Sequence, residues 1–338
     1  MINYVYQLVS PRSFSVKYEE VGFESGVVVR PEYMAVCHAD QRYFTGQRDA
    51  KVLRKKLPMA LIHECCGRVV SDRTGTFRPG QAVILIPNVP PAVDDGIVYE
   101  NYAKGSRFLS SGSDGFMREF VELPPDRVVP YAGVRPQVAA ITEFVSVGVH
   151  AAGRFDLAAH RRRETIGIWG DGSLAYTVAC VLSRTFPESR IAVVGKNPQK
   201  LDLFTFVDET YLADNLPADF QVDHAFECAG GEGSYYAIDD MIRTINPQGT
   251  IMLMGVSENK VAVNTRDVLE KGLTLVGCSR SGRRDFERAV SLMEQPDFAN
   301  RLQSIIYEDA PVRSVDDIYR VFATDLNTPF KTAFRWDL

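Results

Sequence analysis

Residues 165–175 read Thr-Ile-Gly-Ile-Trp-Gly-Asp-Gly-Ser-Leu-Ala, and residues 190–196 read Arg-Ile-Ala-Val-Val-Gly-Lys. Ile166 to Trp169 has the length and apolar character of a buried strand. Behind it Leu174, Val178, Val181 and Leu182 recur at helical spacing, and a second strand follows at 190–194. Between strand and helix, Gly170, Gly172 and Ala175 form G-x-G-x-x-A. The first glycine permits a tight turn, the second lets the backbone approach a pyrophosphate, and the alanine lets the helix pack closely on the strand. Unpaired N–H groups at the helix start, aided by the helix dipole, then face the phosphates. Gly170, Asp171, Gly172, Ser173, Leu174 and Ala175 are therefore the candidate dinucleotide-binding residues. The alternative is a glycine-rich turn with no ligand. It gives no reason for both glycines to sit between strand and helix.

The second strand tells which dinucleotide to expect. Enzymes of this fold that use NAD place Asp or Glu about 20 residues past the glycine motif, on the ribose 2′-hydroxyl. Here the strand ends in Gly195-Lys196. The sequence offers no carboxylate at this point to favour NAD. Glycine makes room for a 2′-phosphate, Lys196 can pair with it, and Lys200 lies one turn along. NADP(H) is the expected cofactor, against the alternative that Lys196 is a solvated loop lysine.

A chain of 338 residues, 45% hydrophobic and 24% charged, suits two globular domains. Its start has no basic region followed by an apolar core, and no run of 18 apolar residues occurs, so neither a secretory signal nor a membrane span is expected. A formal net charge of −5 disfavours a nucleic-acid partner. The six cysteines (Cys37, Cys65, Cys66, Cys180, Cys228, Cys278) are expected to be reduced, with one or two available to a metal, in a cytoplasmic protein.

The first 145 residues read as β-rich. Short β-branched or aromatic runs at 14–18, 26–30, 67–70, 81–87 and 116–123 are separated by Gly/Pro turns, without crossover helices, which suggests an antiparallel barrel-like module. Residues 88–113 read as a long polar loop. From about residue 141 helices and strands alternate, with further strands at 211–213, 222–228, 250–256 and 273–278, giving six in a doubly wound parallel α/β fold. The segments expected are 1–147, a β-rich catalytic domain; 148–282, dinucleotide-binding; and 283–338, a return to the first.

Cys37, His63 and Glu64 are the residues to weigh for chemistry in the first part. Thiolate, imidazole and carboxylate make a mixed zinc set, and a catalytic zinc keeps one position open. Their spacing matches no compact zinc finger, so a buried free cysteine with a hydrogen-bonded core histidine stays open as the alternative.

Taken together, Cys37-His-Ala-Asp40, His63-Glu64 with Gly67, Asp114-Gly-Phe116, Glu119-Phe-Val121, the Gly170 motif, Asp223-His-Ala-Phe-Glu-Cys-Ala-Gly230 and Gly249-Thr250 to Gly255 resemble the medium-chain dehydrogenase/reductases, the zinc alcohol and sorbitol dehydrogenase superfamily. The resemblance implies a GroES-like catalytic domain, a Rossmann domain, and a catalytic zinc near the cleft between them. By position it implies Cys37, His63 and Glu143 as ligands, Glu64 as a direct or exchangeable ligand, and Asp40 as the carboxylate that orients His63. The cysteine lobe that holds a second zinc in many relatives should fall in 88–113, which contains no cysteine, so one zinc per chain is expected. The relay hydroxyl of the family is Ala39 here, leaving His38, a substrate hydroxyl or ordered water for the proton.

A closer resemblance, carried by Arg30-Pro31, Ala39-Asp-Gln-Arg-Tyr43, Glu100-Asn-Tyr102, Ser110-Ser-Gly112, Val268 to Leu275 and Ser279-Arg-Ser-Gly282, is to the ribitol-5-phosphate dehydrogenases (ribulose-5-phosphate reductases) that feed CDP-ribitol and teichoic acid or capsule synthesis. It implies NADPH-linked, zinc-dependent, reversible reduction of D-ribulose 5-phosphate. It also implies functional coupling to a ribitol-5-phosphate cytidylyltransferase and a homodimer or homotetramer. Arg42, Arg280 and Arg283, with Arg284 beside them, are the candidates for the substrate phosphate. The competing expectations are a polyol or alcohol dehydrogenase with an unphosphorylated substrate, and a metal-free dinucleotide-binding subunit without activity.

Overall fold

The computed structural model describes residues 2–22, 25–92 and 96–338. The chain divides into two compact units, Met1–Ser146 with Arg280–Leu338, and Val147–Ser279.

The second unit is built on six parallel strands in the spatial order Glu209–Leu212, Arg190–Gly195, Thr165–Trp169, His224–Glu227, Thr250–Leu253, Thr274–Gly277. This is the doubly wound 3-2-1-4-5-6 order, with its switch point beside the first strand. The glycine motif leaves the carboxyl end of that strand, where ligands bind in such sheets. The helix Ser173–Thr185 buries Ala175, Val178, Ala179 and Leu182. The helix Gly233–Thr244 packs Ala237, Ile238, Met241 and Ile242 in a cluster with Trp169, Val194 and Ile251.

In the first unit, the main sheet runs Val128–Pro130, Ala82–Leu85, Glu64–Asp72, Val27–Ala35, Lys331–Trp336, Ile306–Val312, with Val121–Leu123 also paired to Val27–Ala35. A smaller sheet joins Ile2–Ser10 to Ser13–Glu20 and Met59–Ala60. The pairing sets the site. Ala35 stands opposite Glu64 on one side and Ala333 on the other, so one end of the sheet gathers Cys37, Glu64 and Lys331 from distant sequence. Phe322, from the helix Val315–Asn327, stacks on Phe44 at 4.6 Å and closes the core over the short helix His38–Phe44.

Several local expectations change. Of 116–123 only Val121–Leu123 is a strand, because the N–H groups of Gly115 and Phe116 bond instead to the carbonyls of Ala60 and Ile62. The span 88–113 holds a two-stranded pair, Asn88–Val89 with Arg107–Phe108, and residues 93–95 within it lie outside the described residues. Residues 280–282, assigned from sequence to the dinucleotide-binding segment, group with the first unit, where Ser281 Oγ lies 2.6 Å from Ser146 Oγ. No helix among the described residues is long and apolar enough to cross a membrane.

One buried histidine makes the second unit acid-sensitive. His224 Nδ1 accepts the Thr250 N–H at 3.0 Å, so Nε2 must carry the proton it donates to the Arg162 carbonyl at 3.0 Å. Burial, and then nearby His160, push its pKa down to about 4. The unfolded chain takes up this proton near pH 6.5, so the contribution to stability is complete above that pH and is lost as pH falls from 6.5 to 4. The expected loss is about 2–3 kcal/mol. Urea unfolding of the wild type at pH 7 and pH 4.5 should show it, and His224→Gln, which keeps a donor and an acceptor, should flatten it. An equal drop in both proteins would refute the assignment.

Candidate active site

Cys37 caps the helix His38–Phe44, and Asp40 in its first turn returns a bond to the Cys37 N–H at 3.2 Å. The other oxygen of Asp40 accepts from the Ile62 N–H at 3.1 Å and from Ser110 Oγ at 2.7 Å. His63 Nδ1 lies 3.5 Å from Asp40 and 3.3 Å from Ser110 Oγ. That side of the ring is therefore occupied, and Nε2 is left for a ligand. Cys37, His63 and Glu64 offer donor atoms that all lie within 4.8 Å of one another.

Strain marks the same place. Three non-glycine residues in the left-handed region, Ile62 (φ 68°), Ser110 (φ 64°) and Arg280 (φ 60°), flank or face this cluster. A β-branched residue such as Ile62 is a genuine outlier there, and each such residue costs about 1–3 kcal/mol.

Glu64 Oε1 accepts from Lys331 Nζ at 2.6 Å. Lys331 also donates to the Val36 carbonyl at 2.8 Å and stands 4.6 Å from the Phe144 ring centre. Glu64 Oε2 is buried without a hydrogen-bond partner among the described residues. Glu143 is buried outside the 4.8 Å cluster but near enough to feel His63, Glu64 and Lys331.

The electrostatics favour a cation. Burial, joined by the charge of Glu64, lifts Glu143 to about 7. Burial alone would lower His63, yet Asp40 and Cys37 raise it well above the ordinary imidazole value. Asp40 itself is held low, against its burial, by His63, Ser110 and the Ile62 N–H. A pocket that holds a proton so firmly, next to an orphaned carboxylate oxygen, suits a divalent metal. Thiolate, imidazole and carboxylate are a zinc donor set.

The structure separates the candidate arginines. The Arg280 guanidinium lies 4.9 Å from the Phe108 ring centre, and that ring meets the His63 imidazole edge-on at 5.3 Å. Arg42 is buried on the helix behind Cys37. Arg283 is committed elsewhere: its side chain donates to Glu287, Pro125 and Val128, and its N–H to Glu100. Arg284 is exposed. Sequence reasoning missed Lys331 and Ser110. A lysine opening the strand Lys331–Trp336 was the one local signal, and Ser110 stood only among the residues that carry the closer resemblance.

In the second unit, Gly170 has φ 137°, and a Cβ there would lie 2.8 Å from the Cys228 backbone. A Cβ on Gly172 would meet nothing within 4 Å, which leaves that side of the turn open to a ligand. Ser173 and Leu174 open the helix and Ala175 is buried against the sheet. The end of the second strand differs from its sequence reading in one respect. A carboxylate does stand there, brought by the fold: Asp171 Oδ2 accepts from the N–H groups of Lys196 at 2.6 Å and Asn197 at 2.7 Å. It shapes the loop, and Gly195 is required for it, since a Cβ would lie 2.7 Å from Asp171 Cβ. The Lys196 ammonium is 5.3 Å from the Tyr236 ring centre, and Lys200 follows in the short helix Pro198–Leu201.

Two family models match the chain, "Alcohol dehydrogenase GroES-like domain" over residues 24–133 and "Zinc-binding dehydrogenase" over 190–295. A ribulose-5-phosphate reductase of Streptococcus pneumoniae is 59% identical over 340 residues, covering 100% of this chain and 98% of that protein. Its counterpart from Bacillus spizizenii is 45% identical, covering 100% of both. The crystal structure of S. aureus TarJ in complex with NADPH matches with a TM-score of 0.89 at 44% identity, covering 100% of both chains. The chain belongs to the zinc-binding dehydrogenases with an alcohol dehydrogenase GroES-like domain, in the group of the ribulose-5-phosphate reductases.

Proposed function

We propose that this chain reduces D-ribulose 5-phosphate to D-ribitol 5-phosphate with NADPH, reversibly, with one zinc per chain held by Cys37, His63 and Glu143 and with Glu64 as a direct or exchangeable ligand. The observation that carries the reading is full-length identity of 59% to a ribulose-5-phosphate reductase in a chain whose own Cys37, His63 and Glu64 converge within 4.8 Å. The unit Met1–Ser146 with Arg280–Leu338 is then the catalytic domain and Val147–Ser279 the dinucleotide-binding domain.

The chemistry that zinc and NADPH supply when bound is Lewis-acid polarisation of a carbonyl and a hydride for its carbon. The chain's part is positioning. Asp40 and Ser110 fix the tautomer and tilt of His63, and Lys331 holds one oxygen of Glu64 so that the other stays turned to the donor cluster. The net reaction takes one proton to the C2 oxygen. Ala39 has no hydroxyl to pass it, so a substrate hydroxyl, ordered water or His38 does so. The glycine turn and the start of the helix Ser173–Thr185 receive the pyrophosphate, and Lys196, with Lys200 behind it, faces the 2′-phosphate. The product suits a cytidylyltransferase that activates ribitol 5-phosphate for a cell-wall or capsular polymer. A cytoplasmic homodimer or homotetramer completes the reading.

One paired assay tests it: ribulose 5-phosphate against ribulose, each with NADPH and NADH. Reduction of ribulose as efficient as that of its phosphate would replace the reading with that of a polyol dehydrogenase. NADH used at least as well as NADPH would overturn the cofactor. Lys196→Ala should weaken NADPH binding by about 1.5–3 kcal/mol, a charge-assisted contact, and affect NADH far less.

A further inference from the structure

Beside the donor cluster lies a second group of side chains that is rich in hydrogen-bond donors and poor in acceptors. Lys56, the last residue of the helix Ala50–Lys56, is half-buried and donates to Tyr43 Oη at 3.0 Å and Ser111 Oγ at 2.8 Å. Both partners are neutral. Each accepts from the ammonium and so keeps its own O–H to donate elsewhere. Arg48 stacks on the same Tyr43 ring at 4.8 Å. Arg280, half-buried and strained at φ 60°, makes no hydrogen bond or ion pair among the described residues. Its guanidinium lies near both Tyr43 and Glu143. Glu143, which lies outside the 4.8 Å donor cluster, is the one carboxylate among the described residues that acts on Arg280.

A half-buried lysine satisfied only by hydroxyls, and a guanidinium held in a disfavoured backbone state without a polar partner, are costly unless an anion completes them. The anion must accept from several directions at once, as a phosphate monoester does. Phe108 sets the reach. Its ring centre lies 5.3 Å from that of His63 and 4.9 Å from the Arg280 guanidinium, so that cation stands within the span of a pentose chain from the metal ligands.

We infer that Lys56 and Arg280, with the hydroxyls of Tyr43 and Ser111, form the seat for the phosphate monoester of the substrate. The inference rests on the proposed reaction and adds the residues that select a phosphorylated sugar. Arg283 has no part in it.

The experiment uses the zinc-loaded full chain with Lys56→Gln, Lys56→Arg and Arg280→Gln. KM and kcat are measured for D-ribulose 5-phosphate and D-ribulose, and binding of inorganic phosphate and of NADPH is measured by calorimetry. Lys56→Gln and Arg280→Gln should each raise KM for ribulose 5-phosphate at least about tenfold, cut the preference for the phosphorylated sugar by a similar factor, and weaken phosphate binding; Lys56→Arg should restore most of it. A preference kept within about twofold in both glutamine variants, or a wild type that binds no inorganic phosphate, would overturn the seat. So would a loss confined to NADPH, which would assign the cations to the cofactor's phosphates. A wild type that binds inorganic phosphate through Lys56 yet shows no preference for ribulose 5-phosphate would count against the proposed reaction and leave the seat standing.

Discussion

A Cys37→Ser variant is expected to fold, to retain well under one zinc per chain after dialysis, and to lose at least about a thousandfold of reductase activity, since Lewis-acid stabilisation is worth several kcal/mol. Cys37 sits at a helix cap whose other half, Asp40, bonds backbone N–H groups and Ser110, so serine keeps the local fold. It does not keep the ligand, because a hydroxyl is a poor substitute for a thiolate on zinc. The wild type should carry one zinc per chain by elemental analysis. The remaining cysteines are poor candidates for a second site. Cys65 and Cys66 are buried on the strand Glu64–Asp72, and burial pushes the Cys66 thiol up to about 12. Cys180, Cys228 and Cys278 are each buried, and the span 88–113 has no cysteine at all. Two zincs per chain, or a serine variant with full metal and full activity, would refute this assignment.

What the sequence could reveal follows from how local each feature is. The turn from Gly170 to Ala175 is a continuous run whose glycines have local reasons, so it was legible at once. The strand Ile2–Ser10 was missed because its buried and exposed residues alternate only in part, and its partner Ser13–Glu20 is largely exposed. The helices His38–Phe44 and Ala50–Lys56 are two turns each, too short to show a period, and the second buries nothing fully. In the site, Cys37 and His63 meet only because Ala35 pairs with Glu64, a long-range register that no local pattern encodes. Resemblance supplied the pair, and spacing alone left it open. Lys331 lies 267 positions from the carboxylate it holds, beyond any motif. Arg283 looked equivalent to Arg280 in sequence. Three residues make the difference, because Arg283 begins a helix and spends its donors on Glu287 and two carbonyls.

Lys331→Met should destabilise the metal-free protein by about 3–5 kcal/mol, the usual penalty for leaving one member of a buried ion pair behind. Glu64 is fully buried and Lys331 nearly so. Burial lifts the Glu64 carboxyl further than Lys331 and His63 pull it down, so its charge is already expensive to hold. Lys331 keeps its proton, against its own burial, because Glu64, Cys37 and Asp325 surround it. Methionine fills similar volume and can rest on Phe144, so the loss is electrostatic and not a cavity. The double variant with Glu64→Gln removes the stranded charge and should recover much of the stability, a coupling of about 1–3 kcal/mol in a double-mutant cycle. Urea unfolding of the wild type, both single variants and the double variant, all metal-free, measures it. Adding zinc should narrow the gap for Lys331→Met, because a cation again faces Glu64. If the two substitutions prove additive, Glu64 does not depend on Lys331, and the lysine is a packing residue that happens to lie beside it.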